Sequence, residues 1–570
     1  MIGSSYANKR RARLLYVLLA LLAVLLARLF QIQVLRHEEY LRLAEKQHRL
    51  RIPLSEARGT VSDRHGRILA VSRLTRSLWV DPGLVDNGRL IRFLRPLAEL
   101  LNAQPQELYE KCTAPGRRFV WLRRHIEEDL EKQLTPFIYA MPGFGFREEW
   151  LRHYTCGAML SPVLGVVGLD QDGLAGIELY LDRQLRSVPG EKVVLRDAFS
   201  HQVSLRPVSE ILPERGRDLR LTLDRSIQTM LCEELSRLMQ EYRPNHASGI
   251  VMDPLSGEIL ALATLPAHQP GDPIAQGMKG LQPLMLAEAF EPGSTMKPFV
   301  YGAVLEAGLG RPEERLDCGN GAKRFGGRII HDVHPCGVVS LEDVIAKSSN
   351  IGAAQLGLRL GNRSLHSLLT NLGFGQRTYL PVPGETTGTL RPLKDWSSFS
   401  TTSIPMGHEI AVNMVQMATA YAALANGGYL LQPYLVKSIT LSSGQPAYDS
   451  EALCYRRIFS KKTCDQVRQA LVKVVESGTA TRARSQLYTI AGKTGTTEKI
   501  DGGQYSKKKN VALFSGFAPA SRPRLVVMIT VDEPQGASFG GVVAAPAASR
   551  VLEQALLYLG VPPEQQPEGT

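Results

Sequence analysis

The stretch Phe290-Glu291-Pro292-Gly293-Ser294-Thr295-Met296-Lys297-Pro298 decides how the rest of the chain reads. Pro292 and Gly293 interrupt whatever precedes them, and an apolar run from Phe299 to Leu305 follows, so Ser294 reads as the first residue of a helix. A hydroxyl there lies at the positive end of aligned peptide dipoles, which favours the negative charge it develops on losing its proton. Lys297, three residues on, falls one turn away on the same face. Pro298 is tolerated, because first-turn N–H groups have no intrahelical partner to lose. Serine is a weak nucleophile without an adjacent base. Lysine acts as a base only where burial or a neighbouring cation drives off its proton. S-x-x-K therefore demands partners; alone it is an N-cap and a solvated lysine.

Partners follow in order. Ser348-Ser349-Asn350 supplies S-x-N, and Lys493-Thr494-Gly495-Thr496 supplies K-T-G-T further downstream. Each alone reads as a turn, a cap or a strand end, and their arrival together is what carries weight. The surroundings alternate in the same sense. Leu219 to Leu223 begins a strand and Ile227 to Tyr242 is an amphipathic helix. Ser248 to Asp253 and Glu258 to Thr264 form a hairpin about Pro254–Gly257. Strands at Ala512–Phe517 and Leu525–Val531, preceded by Lys493–Thr496, complete an antiparallel sheet. Strands at both ends with helices between predict a single mixed α/β domain over 218–560, followed by a disordered Pro/Glu/Gln-rich tail over 561–570.

Toward the N-terminus, Lys9, Arg10, Arg11 and Arg13 precede an unbroken apolar run, Leu14 to Ala27, extended by Leu29 to Leu35. About 22 residues at ~1.5 Å each reach ~33 Å, enough to cross a bilayer. No A-x-A site follows Ala27, which favours an uncleaved anchor over a signal peptide. The basic residues before the span predict a cytoplasmic tail over 1–13, an anchor over 14–35, and everything later outside the cytosol. Arg58 to Ala70 reads as a strand, a turn at His65-Gly66 and a second strand. Ile91 to Leu134 reads as a small helical subdomain.

Composition narrows the classes. At 570 residues the chain holds two or three domains, and 44% apolar content supplies real cores. The net charge of +12 is scattered rather than gathered into an aromatic-interleaved stripe, so nucleic acid is not a predicted partner. Seven cysteines form no C-x-x-C pair. Cys318 with Cys336, and Cys454 with Cys464, are spaced for disulfides in an oxidising compartment. His331-Asp332-Val333-His334 with Cys336 fits no zinc signature, and no metal or cofactor is predicted.

In this order S-x-x-K, S-x-N and K-T-G resemble the motifs of the penicillin-recognising serine acyltransferases. Arg58-Gly59-Thr60-Val61-Ser62-Asp63-Arg64-His65-Gly66 to Ala70 resembles the box that opens the non-catalytic module of class B penicillin-binding proteins, with Val61 in place of isoleucine. Arg152-His153-Tyr154, Val163-Leu164-Gly165 and Gly173 to Glu178 resemble its second set of boxes, and Gly516-Phe517-Ala518-Pro519 also matches. Two departures stand out: Thr155 where the family usually has proline, and Ser161-Pro162 in place of a small-residue and histidine pattern.

The resemblance implies an α+β multidomain protein: an N-terminal membrane helix, an elongated α/β pedestal over 36–217, and a C-terminal transpeptidase fold whose antiparallel sheet is flanked by helices. Asp63 and Arg64 would fix domain geometry. The implied reaction is D,D-transpeptidation of peptidoglycan stem peptides. Ser294 would be the nucleophile, Lys297 the base, Ser348 a proton relay and Asn350 a ligand of Lys297 and substrate amide. Lys493 would hold Lys297 deprotonated and draw the terminal carboxylate, which Thr494 and Thr496 bind, with the Ser294 and Thr496 N–H groups as oxyanion hole. Gly495 would leave room for an incoming peptide on an edge strand. β-Lactams should acylate Ser294. The Phe290–Gly293 lead-in and the single short pedestal resemble the septal (FtsI-type) branch, implying a bacterial inner-membrane anchor, a periplasmic catalytic domain, and a glycosyltransferase and other division proteins as partners. An elongation-type enzyme and a β-lactamase or β-lactam sensor are the alternatives.

Overall fold

A computed structural model describes residues 3–195, 209–269, 278–501 and 504–564. Two compact units emerge, the first drawn from 1–56 and 187–215. In it a helix runs Gly3–Phe30 and continues in wider turns through Gln31–Leu35. Asn8–Leu35 is, among the described residues, the one helix long and apolar enough to cross a membrane, containing an 18-residue stretch of mean hydropathy 2.3. Arg28, near its far end, donates to Gln31 Oε1 at 2.6 Å. A helix His37–His48 follows, and the strand Arg49–Leu54 pairs antiparallel with Gly190–Leu195.

The second unit comprises 57–186 and 216–570, so the compact units do not follow a boundary at Arg217. The reason is a shared sheet. Val61–Ser62 pairs parallel with Asp218–Leu221, which pairs in turn with Val436–Thr440. The strand–turn–strand read at Arg58–Ala70 is present, although its second strand extends over Ile68–Val80 and carries Val120–Ile126 and Phe144–Tyr154. The stretch read as wholly helical therefore contains a strand, Val120–Ile126, between the helices Pro105–Cys112 and Glu128–Ala140. Together these elements close their own core around Leu78, Leu90, Leu97 and Leu134.

Polar contacts hold this pedestal in register. Arg58 Nε and Arg152 Nε bind the two oxygens of Glu178 at 2.6 and 2.7 Å, with all three side chains 1% exposed. Asp63 accepts from Arg67 Nε at 2.6 Å and from Arg225 N at 3.3 Å, and Arg64 reaches Glu258 at 2.8 Å, so both tie the box to the catalytic part. The departure at Thr155 has a local cause. Its N–H donates to Leu69 O at 3.0 Å, a bond proline has no hydrogen to make.

The catalytic part follows from its sequence periods. Helix α1 (Arg225–Tyr242) is capped by Asp224, which accepts from Ser226 N and Ile227 N. Strands β1 (His246–Met252) and β2 (Ile259–Leu265) form the hairpin. Helices α2 (Lys297–Glu306), α3 (Asn350–Asn371), α4 (Met414–Ala425) and α5 (Lys461–Glu476) come next. Strands β3 (Ala491–Asp501), β4 (Gln504–Ala518) and β5 (Leu525–Asp532) then precede helix α6 (Gly540–Tyr558). The five strands pair antiparallel in the order β2-β1-β5-β4-β3, leaving β3 at the edge. Central β5 is buried along its whole length. Both sheet faces are thus covered, α1 and α6 packing together on one and the wholly buried α4 on the other.

Two expectations are corrected. All seven cysteines are free: Cys318 and Cys336 are unbonded, and Cys464 lies buried on α5 while Cys454 is exposed. The tail read as disordered begins docked, because Glu564 N donates to Leu487 O at 2.9 Å and its carboxylate accepts from Thr489 N at 2.8 Å. Residues 565–570 lie outside the described residues. Removing one member of a buried ion pair costs about 3–5 kcal/mol, because the remaining charge is stranded. Glu178→Ala, which strands Arg152 and leaves Arg58 only the Asp182 carboxylate at 2.6 Å, should lower the unfolding free energy by that amount in a urea titration. A loss below about 1 kcal/mol, the scale of an exposed pair, would contradict the desolvation of this cluster.

Candidate active site

Ser294 does not open an α-helix. It lies in a 3₁₀ turn, Gly293–Met296, and the α-helix begins at Lys297. The chain tightens there because Thr295 folds back on Pro292, its N–H and Oγ1 donating to Pro292 O at 3.2 and 2.6 Å. Gly293 adopts φ +53, and a Cβ on it would meet Thr497 Cγ2 at 2.6 Å. The Ser294 turn therefore sits directly against edge strand β3. Beneath it, Tyr421 of α4 donates from its hydroxyl to Thr295 O at 3.0 Å.

Lys297 is fully buried. Its Nζ donates to Ser348 O at 2.6 Å, Ser348 Oγ at 3.2 Å and Asn350 Oδ1 at 2.8 Å. Ser348 reaches the lysine with both oxygens, and its backbone adopts φ +60, a left-handed conformation uncommon in non-glycine residues. Burial brings the Lys297 amine from 10.5 down to about 7, opposed by the negative charge of Asp332 and by the thiols of Cys336 and Cys318. Desolvation thus favours the neutral form of this amine.

Lys493, on β3, is also fully buried. Its Nζ donates to Thr494 O at 3.3 Å and to Thr479 Oγ1 at 3.4 Å. Burial pushes it well below the usual lysine range, and the Lys297 charge adds to the shift. The two amines oppose each other's protons. Thr494 faces inward, its hydroxyl 3.0 Å from that of Thr479, whereas Thr496 is exposed and accepts from Gly540 N at 3.1 Å. Gly495 has a reason beyond peptide access: a Cβ there would meet Leu513 Cδ1 at 2.4 Å and Pro292 O at 3.2 Å. The structure thus gathers Lys297, Ser348 and Asn350 into one hydrogen-bonded cluster, sets Lys493 within reach of its charge, and seats the Ser294 turn on the strand carrying Thr494–Thr496.

Sequence reasoning missed two groups. Thr479, which contacts both Lys493 and Thr494, follows a helix end with no spacing signal toward Lys493. Glu291 accepts from Glu409 N at 3.0 Å and from the Tyr505 hydroxyl at 3.1 Å, and lies 2.8 Å from His408 Nδ1. It ties the lead-in of the Ser294 turn to the start of β4. As for metals, Asp332 is occupied as a hydrogen-bond acceptor. Among the described residues the ligand-capable trio His246, Glu288 and Asp532 is crossed by Lys499, which binds Asp532 at 2.9 Å.

With this geometry in hand, the comparisons agree with one another. Residues 247–553 match the family model described as the penicillin binding protein transpeptidase domain, and 53–221 match the penicillin-binding protein dimerisation domain. "Probable peptidoglycan D,D-transpeptidase PenA" of Neisseria gonorrhoeae is 32% identical over 560 residues, covering 98% of this chain and 94% of the relative. "Peptidoglycan D,D-transpeptidase FtsI" of Escherichia coli K12 is 27% identical, covering 98% and 94%. Among solved structures, penicillin binding protein 3 of Mycobacterium tuberculosis complexed with ampicillin superposes with TM-score 0.71 at 26% identity, covering 91% of this chain and 98% of that one.

The packing of the turn on β3 is open to a direct test. Gly495→Ala forces Leu513 or the strand to move, and overpacking of this kind costs about 1–3 kcal/mol. Chemical denaturation should register that loss. An unchanged midpoint would show that the approach of β3 to Pro292 is looser than the coordinates place it.

Proposed function

Because this chain belongs to the class B penicillin-binding proteins, and is a serine-type peptidoglycan D,D-transpeptidase, we propose that Ser294 is its nucleophile, that Lys297 and Ser348 move the protons of the reaction, that Asn350 holds Lys297 and the substrate amide, and that Lys493 draws the terminal carboxylate. One observation carries the reading: a buried amine brought down to about 7, held by Ser348 and Asn350, lies one residue past the turn that presents Ser294.

In this reading the stem peptide lies along edge strand β3, its terminal carboxylate at the exposed Thr496 with Lys493 behind it. Ser294 Oγ attacks the carbonyl of the penultimate D-alanine and its proton passes to Lys297 Nζ. The N–H groups of Ser294 and Thr496 hold the oxyanion. The C–N bond then breaks, and the proton reaches the departing D-alanine amine through Ser348 Oγ. A neighbouring stem's amine attacks the acyl-Ser294 ester and gives its proton to Lys297 Nζ; the acyl C–Oγ bond breaks, the cross-link forms, and Lys297 passes that proton to Ser294 Oγ, which restores the starting enzyme. Thr494, turned toward Thr479, orients Lys493 instead of binding the carboxylate as first read.

β-Lactams, which mimic the D-Ala-D-Ala end, acylate Ser294 in this reading, and the ampicillin complex of the mycobacterial relative supports it. The Phe290–Gly293 lead-in favours the septal branch, with a glycosyltransferase and other division proteins as partners. Lys9, Arg10, Arg11 and Arg13, in the first turns of Asn8–Leu35, favour a cytoplasmic N-terminus and a periplasmic catalytic part.

A fluorescent penicillin should label the protein once per chain, with the adduct on the Ser294 peptide, and Ser294→Ala should abolish it. Labelling that survives this change would reject the nucleophile. The adduct should persist for hours; release within seconds would favour a lactamase. A base must be neutral to act, and Lys297 titrates at about 7. Acylation should therefore rise about tenfold per pH unit below that value and level off above it, since each unit changes the neutral fraction about tenfold. A rate independent of pH between 5 and 8 would remove Lys297 from the step.

A further inference from the structure

The loop between the strand Arg328–His331 and the S-x-N segment contains a carboxylate that the reaction as drawn does not use. Asp332 Oδ1 accepts from Asn350 N at 2.5 Å and from Ile351 N at 2.9 Å. Its Oδ2 accepts from Ser349 Oγ at 2.7 Å, and Ser349 Oγ in turn caps α3 by accepting from Gly352 N at 2.9 Å. The preceding residue completes the grip, because Asn350 Nδ2 donates to His331 O at 3.0 Å. Asn350 is thereby held at its backbone and at its amide nitrogen, which leaves Oδ1 as the atom turned toward Lys297.

We propose that Asp332 is a positioning residue for acyl transfer: it clamps the first turn of α3 so that Ser348 and Asn350 meet the Lys297 amine. The proposal deepens the transpeptidase reading and rests on it.

The physical case has two parts. The first N–H groups of a helix have no intrahelical partner, and a carboxylate accepting two of them neutralises the positive helix end. A turn held this way fixes Ser348 in its left-handed conformation on one side and Asn350 on the other. Secondly, the charges around Lys297 are few. Asp332 favours its protonated form, as do the thiols of Cys336 and Cys318 if ionised, while burial favours the neutral form. From β3, Lys493 supplies the opposing amine. Deleting the Asp332 charge leaves burial less opposed, so the amine should lose its proton at lower pH.

The test is the pH profile of acylation by fluorescent penicillin in the full-length protein. Asp332→Asn keeps shape and removes charge. Its plateau rate should fall about tenfold, the size expected when a positioning contact to a catalytic group is lost, and its acid limb should move to lower pH. A wild-type rate and limb would overturn the proposal. So would a slower enzyme whose limb stays in place, because a purely structural role leaves the titration untouched. Ser349→Ala removes one arm of the clamp and keeps the charge. Its plateau should fall about threefold with the limb unmoved, and the double variant should lose less than the product of the two, since contacting residues couple. If Asp332→Asn does not fold, the Ser349→Ala profile decides: an unchanged plateau overturns the clamp. The transpeptidase reading is checked separately, because each variant should still carry its adduct on Ser294. An adduct elsewhere would sink that reading, whatever happens to the limb.

Discussion

Everything in the catalytic part is arranged around an ammonium group that has been taken out of water. Burying a lysine is expensive unless its proton leaves or its hydrogens find acceptors. Lys297 is offered both routes. Two oxygens of Ser348 and one of Asn350 face it, and its pKa is low enough for the proton to leave near neutrality. The same three acceptors that make burial tolerable hold the amine in a fixed place when it is neutral. A base that is desolvated, oriented and uncharged is what a serine hydroxyl requires.

That arrangement constrains the architecture. Ser348 must adopt a left-handed backbone, which its neighbours enforce: Ser349 caps α3 and the Asp332 loop grips the same turn. The Ser294 turn leaves Ser294 half-buried while Lys297 is fully buried. A 3₁₀ turn does this where a regular helix start would not, and Tyr421 supports it from below. Opposite, β3 must approach so closely that glycine is required on both sides of the contact.

The pedestal enters the same logic at a distance. Asp63 and Arg67 converge on Asp224 and Arg225, the residues that start α1, so the box at Arg58–Ala70 is anchored to the first helix of the catalytic sheet. A buried charge cluster of Arg58, Arg152 and Glu178 stiffens the other side of that box. Buried ion pairs contribute specificity of arrangement more readily than net stability. Here they fix how the strand Val61–Ser62 enters a sheet that it shares with Asp218–Leu221.

Side-chain chemistry and local period were legible in the chain itself. The hydroxyl, the two lysines and the amide stand out by their motifs, S-x-x-K, S-x-N and K-T-G. The apolar run at Leu14–Leu35 and the hairpin at Ser248–Thr264 follow from periods that need no tertiary context. Folding alone decided everything that depends on residues far apart in sequence. The lowered pKa of Lys297 is a property of burial, and no tetrapeptide encodes burial. Asp332 looked like part of a failed metal motif until the fold laid it against Asn350. Thr479 had no signal until α5 and β3 packed together. Val120–Ile126 read as helical because its charges mask its period, and it became a strand because Ile68–Val80 offered it an edge. Local sequence specifies which groups are available; only long-range packing sets their distances, and distance is what turns a serine and a lysine into a catalytic pair.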